Sequence, residues 1–207
     1  MTWTVTNMSS GNGGTSGSFT TSTGRLYFAV IHGISNSATV TPSTGLGITW
    51  TQLGGSLTYG ASLAGKLWSG VCTSGSTGTI TFSGTVWYII DEVNGAGAVP
   101  IVQTGTANAA TTITLSAFAS TLNMTYSGWV LQAAPSGTIA AKSGWTQLAN
   151  VGTSPHKTES QYIITNDTAP SATFSGSVIQ YSGGWAVEVA AYVAGGQNTL
   201  LMLGCGN

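Results

Sequence analysis

The chain has 207 residues, enough for one β-sandwich or two small domains with a real core. Only four Lys+Arg and five Asp+Glu are present, 4% of the residues, against roughly 25% in ordinary globular proteins. Four cations build no basic patch, which argues against a nucleic-acid partner, and no stretch is long and apolar enough to cross a membrane. Polarity carried by Gly, Ser, Thr, Asn and Gln steers no charged partner and gives little colloidal repulsion, so association into an assembly is expected.

The first residues divide in two. Thr2-Trp3-Thr4-Val5-Thr6 alternates and suits a short strand, and SSGNGGTSGSF reads as a flexible Gly/Ser segment. Residues 1–20 are therefore either an arm that packs on a neighbouring subunit or an edge strand of the home sheet. The start lacks a basic segment followed by an apolar one, so no secretory leader is expected.

From Gly24 the pattern is strand and turn. Strands are predicted over residues 26–34, 38–42, 48–53, 62–72, 79–82 and 85–93, with Gly54-Gly55 as a break and Asn94-Gly95 as a turn. Pro100 to Thr104 reads as short and extended, and Thr111 to Leu115 as a half-buried strand. Further strands follow over 123–131, 144–148, 160–165, 172–174 and 185–193, with Pro135-Ser136-Gly137 as a turn. No segment has the period and length of a helix. Many short strands at close spacing predict an all-β, antiparallel β-sandwich.

The chain also repeats itself. Trp50-Thr51-Gln52-Leu53 returns 95 residues later as Trp145-Thr146-Gln147-Leu148, and Thr81-Phe82-Ser83-Gly84 returns 92 residues later as Thr173-Phe174-Ser175-Gly176. The flanks agree, since Trp87 to Glu92 matches Trp185 to Glu188 and the run from Leu26 matches the run from Met124. Two words in one register predict an internal duplication of about 95 residues. The expected organisation is an N-terminal strand and arm (1–20), one sandwich over 21–195 built from pseudo-repeats 21–105 and 118–195, and a tail (196–207). Trp50, Phe82, Trp87, Trp145, Phe174 and Trp185 are then core residues of the repeat.

This order of strand, TWTQL, strand, TFSG and an apolar strand ending in Glu-Val, followed by a second GWTQL, resembles the jelly-roll-type β-sandwich domains of tailed-bacteriophage virion proteins over roughly Gly24 to Val193. The resemblance implies a jelly-roll-like fold and a place on the virion surface. There it implies a capsid decoration or cement protein, a head spike or an adhesion module, often a homotrimer, with the major capsid protein or other virion proteins as partners. Release by lysis would fit the absence of a leader.

No chemistry is expected. Asp91 and Glu92 are neighbours on a strand and point to opposite faces, so they do not form an acid/base pair. Glu92 and Glu188, at equivalent repeat positions, could approach each other through pseudo-symmetry, although solvent-facing or strand-end roles explain them better. His32 and His156 lack companions at metal-ligand spacing, and neither a G-x-S-x-G elbow nor a phosphate loop is present. No cofactor and no metal are predicted. Cys72 and Cys205 are read as two thiols, with a single bond pinning the tail as the alternative.

Trp3, Tyr59, Trp68, Trp129 and Tyr181 have no repeat role and are the candidates for an exposed aromatic platform or a subunit contact. A platform would favour the rival function, a carbohydrate-binding module taking cell-surface polysaccharide. Asn7, Asn123 and Asn166 match the N-glycosylation pattern and are read as chance. Thr199-Leu200-Leu201-Met202-Leu203 is apolar enough to need cover, from the home sheet or from a partner.

Overall fold

The structure, a computed structural model, describes residues 2–33, 39–59 and 62–192. The tail at 196–207, with Cys205 and the apolar run at 199–203, lies outside them. Thirteen strands and no helix are found among the described residues. They are β1 (Thr4–Thr15), β2 (Phe19–Thr20), β3 (Leu26–Gly33), β4 (Thr39–Pro42), β5 (Thr51–Tyr59), β6 (Ser62–Val71) and β7 (Thr77–Gly78). There follow β8 (Thr81–Asn94), β9 (Ala96–Asn108), β10 (Met124–Ala141), β11 (Thr146–Val151), β12 (His156–Ile163) and β13 (Ala172–Ala191).

The strands make an antiparallel β-sandwich. One sheet runs β1-β8-β3-β6-β5 with β4 added on β8, the other runs β11-β12-β10-β13-β9, and β2 pairs with β7 alone. Taken from β9 to β11, the second sheet has the order of the first, strand for strand along the chain. Registers agree as well. Tyr27 stands opposite Glu92 on one side and Gly70 on the other, and Thr125 stands opposite Glu188 and Ile163. Thr51 of the first TWTQL pairs with Ser69, and Thr146 of the second with Tyr162.

Each sheet is built from one contiguous half of the chain, with only Gly95 between the last strand of the first and the first strand of the second. A jelly roll would instead draw the strands of each sheet from along the whole chain.

Alternation along the strands creates three apolar layers. Between the sheets lie Leu26, Phe28, Val30, Ile89 and Val93 from the first and Met124, Tyr126, Val130, Trp185, Val187 and Val189 from the second. Phe28 and Tyr126, which hold the same place in the two ladders, stack with ring centroids 4.2 Å apart. The opposite face of the first sheet is covered by Phe19, Ile48, Trp50, Ile80 and Phe82, and that of the second by Ile113, Leu115 and Phe118. β3 is buried on both faces throughout its length, apolar from Leu26 to Ile31 apart from the Tyr27 hydroxyl, with His32 near its end.

Several expectations need correction. Residues 1–20 are not a free arm: β1 runs through SSGNGG as an edge strand on β8. The glycines fit because a Cβ at Gly11 would lie 3.2 Å from the Tyr88 hydroxyl, which also accepts from the Gly17 N–H at 3.2 Å. Gly54-Gly55 does not break its strand, since β5 continues to Tyr59 with register shifts that absorb the glycines. The Pro135-Ser136-Gly137 turn and the gap between residues 174 and 185 are likewise absent, because β10 and β13 extend together as a two-stranded ribbon in which Gly137 pairs with Gly176. Thr111 to Leu115 is not a ladder strand. It crosses the outer face of the second sheet, donating from Ile113 N to Pro170 O and from Leu115 N to Thr168 O, each at 2.9 Å.

Candidate functional site

All five carboxylates are consumed by the fold. Asp91 shares the inward alternation of Ile89 and Val93 and is buried between the sheets. The Asn7 amide donates to its Oδ1 at 2.9 Å and the Tyr126 hydroxyl to its Oδ2 at 2.7 Å. Burial pushes its acid up to about 6, against the pull of the Asn7, Ser160 and Tyr126 hydrogen bonds. Glu92 accepts from the Tyr27 hydroxyl on the outer face of the first sheet. Glu188, fully buried, accepts from Asn123 and Gln103 at 2.6 Å each and from Ala119 N at 3.3 Å on the outer face of the second. The two equivalent glutamates therefore point to opposite outsides of the sandwich and form no pair.

Asp167 accepts from Lys142 Nζ at 2.6 Å and from Trp145 Nε1 at 2.9 Å. Burial raises its acid, but the Lys142 ammonium, Ala169 N–H and Trp145 N–H together bring it below the ordinary carboxylate value. Glu159 is buried with Gln147 donating to Oε1 at 2.9 Å and no partner on Oε2, and burial lifts it to about 7. It belongs to a polar seam in which Thr158, Glu159, Ser160 and Gln161 of β12 are all fully buried. Nothing in composition announced this seam. Asp91 did carry a signal, since it sits in register with buried apolar residues on both sides.

The histidines meet across the sheets. His32 of β3 and His156 of β12 lie with ring centroids 5.1 Å apart, and His32 Nδ1 is 3.2 Å from Lys157 O. Burial, followed by the charge of His156, depresses His32 to about 3, so both sheets see a neutral imidazole at pH 7. Among the described residues no three or more His, Cys, Asp or Glu side chains gather as metal ligands. Cys72 is a buried free thiol.

The aromatic candidates separate. Trp129 is fully buried, packed edge-on to Phe174 at 5.9 Å with its Nε1 on Ser127 Oγ at 3.0 Å, so it belongs to no exposed platform. Gly184 makes its seat, since a Cβ there would stand 2.3 Å from the ring. Tyr181 is also buried, with its hydroxyl unpartnered, and Tyr59 packs edge-on to it while remaining 44% exposed. Trp68 is half-buried beneath Lys66, whose ammonium lies 5.4 Å from the ring. Trp3 is half-buried and donates to Leu122 O at 3.1 Å, tying β1 to the second half of the chain. Of the repeat residues, Trp50, Phe82, Trp145 and Trp185 are buried, whereas Trp87 and Phe174 are only partly so.

Asn7 and Asn123 are committed to Asp91 and Glu188, which leaves neither amide open to a glycan. Arg25, Lys66, Lys142 and Lys157 are only partly buried, and the charge they carry lies off the sheet edges. None of the edge strands β1, β5, β9 and β11 carries a charged residue. Val99, Val102, Leu122, Ile164, Val178 and Ile179 are exposed. A cleft of about 330 Å³ is lined by residues of both halves, among them Leu26, Leu53, Val71, Val99 and Ile101 with Thr49, Thr51 and Ser69. No family model, curated protein or solved structure matches this chain.

Proposed function

We propose that the chain is a structural subunit of a tailed-bacteriophage particle, a decoration or cement protein on the outside of the head that acts by packing against other virion subunits. The observation that carries this reading is the placement of charge. Every carboxylate is spent on an internal partner, and the sheet edges and exposed valines are left neutral. Natural sheet edges are normally guarded by charge, and unguarded ones are suited to lie against a neighbour. The equal strand order and register of the two sheets support an origin by internal duplication. With β1 taken up by its own sheet, the packing on neighbouring subunits acts through surfaces and edges; a trimer is the expected form.

The test is the mass of the purified protein by light scattering, alone and after mixing with purified heads that lack it. A stable trimer binding those heads at fixed stoichiometry is the expected result; a monomer indifferent to them refutes the proposal. The carbohydrate-binding reading keeps Tyr59 as its open aromatic ring, and tryptophan fluorescence on titration with host polysaccharide would register it.

A further inference from the structure

The two halves of the sandwich touch over a full apolar layer yet are joined by one residue. Residues 4–94 hold every strand of the first sheet and residues 96–191 every strand of the second. Gly95 sits between them with φ of 103°, a conformation that L side chains rarely adopt. Trp3 packs on it, and its carbonyl accepts from Tyr192 N at 2.7 Å.

Across the layer the halves are complementary rather than alike. Val30 lies where a Cβ on Gly128 would come within 2.6 Å, and Gly65 leaves room for the Trp185 ring. Tyr126 hydroxyl meets Asp91, and Trp185 Nε1 donates to Gly55 O at 2.7 Å. Each face is thus specific for the other half and indifferent to which copy of the chain supplies it.

From this geometry we infer that a second copy of this chain is a partner for the inter-sheet face. The chain opens at Gly95, and the first half of one copy closes on the second half of another, giving a dimer by reciprocal exchange. Every contact of the layer is regained in the exchanged form, and only the hinge differs. A short, conformationally demanding hinge is the feature that favours such exchange. This inference does not depend on the virion reading, since it concerns the chain's own two faces.

The hinge gives a signed test. Gly95→Ala places a side chain at a left-handed φ in the closed monomer, whereas an extended hinge in the exchanged dimer would not carry that strain. Two hinges are relieved per dimer, so the dimerisation constant should rise roughly 30- to 900-fold at the usual cost per left-handed residue. Gly144→Ala is the strain-matched control. Gly144 has φ of 83° with nothing within 4 Å of a Cβ, and it lies in the turn between β10 and β11, so its dimerisation should not change.

Exchange is then distinguished from ordinary association by a disulfide across the layer. A Cβ at Gly54 would lie 3.8 Å from Thr106 Cβ, the Cβ–Cβ separation of a Cys–Cys bridge. In a Cys205→Ser background, Gly54→Cys with Thr106→Cys should link one chain to itself in the monomer and two chains together in the dimer. Non-reducing electrophoresis of the Gly95→Ala dimer should show the double-mass band. The same cysteine pair in the chain with Gly95 intact, refolded at increasing concentration, should show that band growing with concentration. A Gly95→Ala protein no more dimeric than the Gly144→Ala control, a dimer bridged only within each chain, or a double-mass band absent at every concentration overturns the inference.

Discussion

Asp91→Asn is the most informative single change, because it asks which of two opposed effects governs the inter-sheet layer. Burial destabilises the carboxylate, whereas Asn7, Ser160 and Tyr126 stabilise it; burial wins, and the acid is lifted from 3.8 to about 6. A raised folded-state value means the native chain holds its proton more tightly than the unfolded chain. Ionisation therefore costs stability above pH 6, and that cost disappears as pH falls through 6 toward 3.8. Two units correspond to about 3 kcal/mol. Asparagine keeps the shape, its oxygen can accept from Asn7 and its amide can donate to Tyr126, but it never ionises. Urea unfolding followed by tryptophan fluorescence between pH 4 and 8 should therefore find the variant more stable than the parent by up to about 3 kcal/mol at pH 8, with the advantage gone near pH 4. Subtracting the two curves removes the contributions of His32 and Glu159. A flat difference curve, or one in which the parent gains on the variant as pH rises, would show that the three hydrogen bonds outweigh burial and would refute the reasoning.

Other perturbations read neighbouring parts of the structure. Trp185→Phe removes the Nε1 bond to Gly55 O and should cost about 1–2 kcal/mol, measured as a lower urea midpoint at unchanged slope. Gly184→Ala puts a methyl 2.3 Å from the Trp129 ring and 2.7 Å from Gly128 O, where neither side can yield cheaply; a loss of about 3 kcal/mol or more is expected by the same assay. His32 has its value depressed from 6.5 to about 3 by burial, so its stabilising contribution is lost as pH falls from 6.5 toward 3. His32→Gln should flatten the acid limb of the stability curve, and an unchanged limb would count against a buried neutral imidazole. Tyr126→Phe and Asp91→Val should each cost about 2–4 kcal/mol by stranding the other group. The double variant should cost less than the sum, and strict additivity in this cycle would deny the coupling.

The all-β class and the sandwich were legible because alternation and turn residues are local signals. The repeated TWTQL words marked matching ladder positions, with Thr51 opposite Ser69 and Thr146 opposite Tyr162, whereas the first TFSG pairs with β1 and β4 and the second with β10. Glycine misled the reading in both directions. At Gly11 and at Gly137 it permits close approach inside a strand or ribbon, but a run of glycines reads locally as a loop. Burial of Trp129 was not legible either, since its cover comes from Phe174 and from the room left at Gly184, 55 residues away. The polar strand β12 is the largest surprise. Its Thr158-Glu159-Ser160-Gln161 reads as solvent-facing in isolation, and only partners such as Gln147, Lys142 and His32 make its burial tolerable.

The two halves share a ladder but not a chemistry, and the difference falls at the centre of the molecule. Phe28 and Tyr126 hold one ladder position, Asp91 and Val187 another, and in each sheet they stand directly opposite: Phe28 against Asp91, Tyr126 against Val187. Stacking of the two rings brings the hydroxyl of the second half onto the acid of the first. The first half alone would bury an acid without that donor, and the second alone would bury a hydroxyl without that acceptor. An unsatisfied buried group costs more than a made hydrogen bond contributes, so this single pair penalises either half for closing on a copy of itself. Complementarity at the stack, with Val30 filling the space at Gly128, makes the layer selective for one half of each kind. The one-residue link at Gly95 fixes how the halves are joined along a chain, while the stack fixes which faces meet.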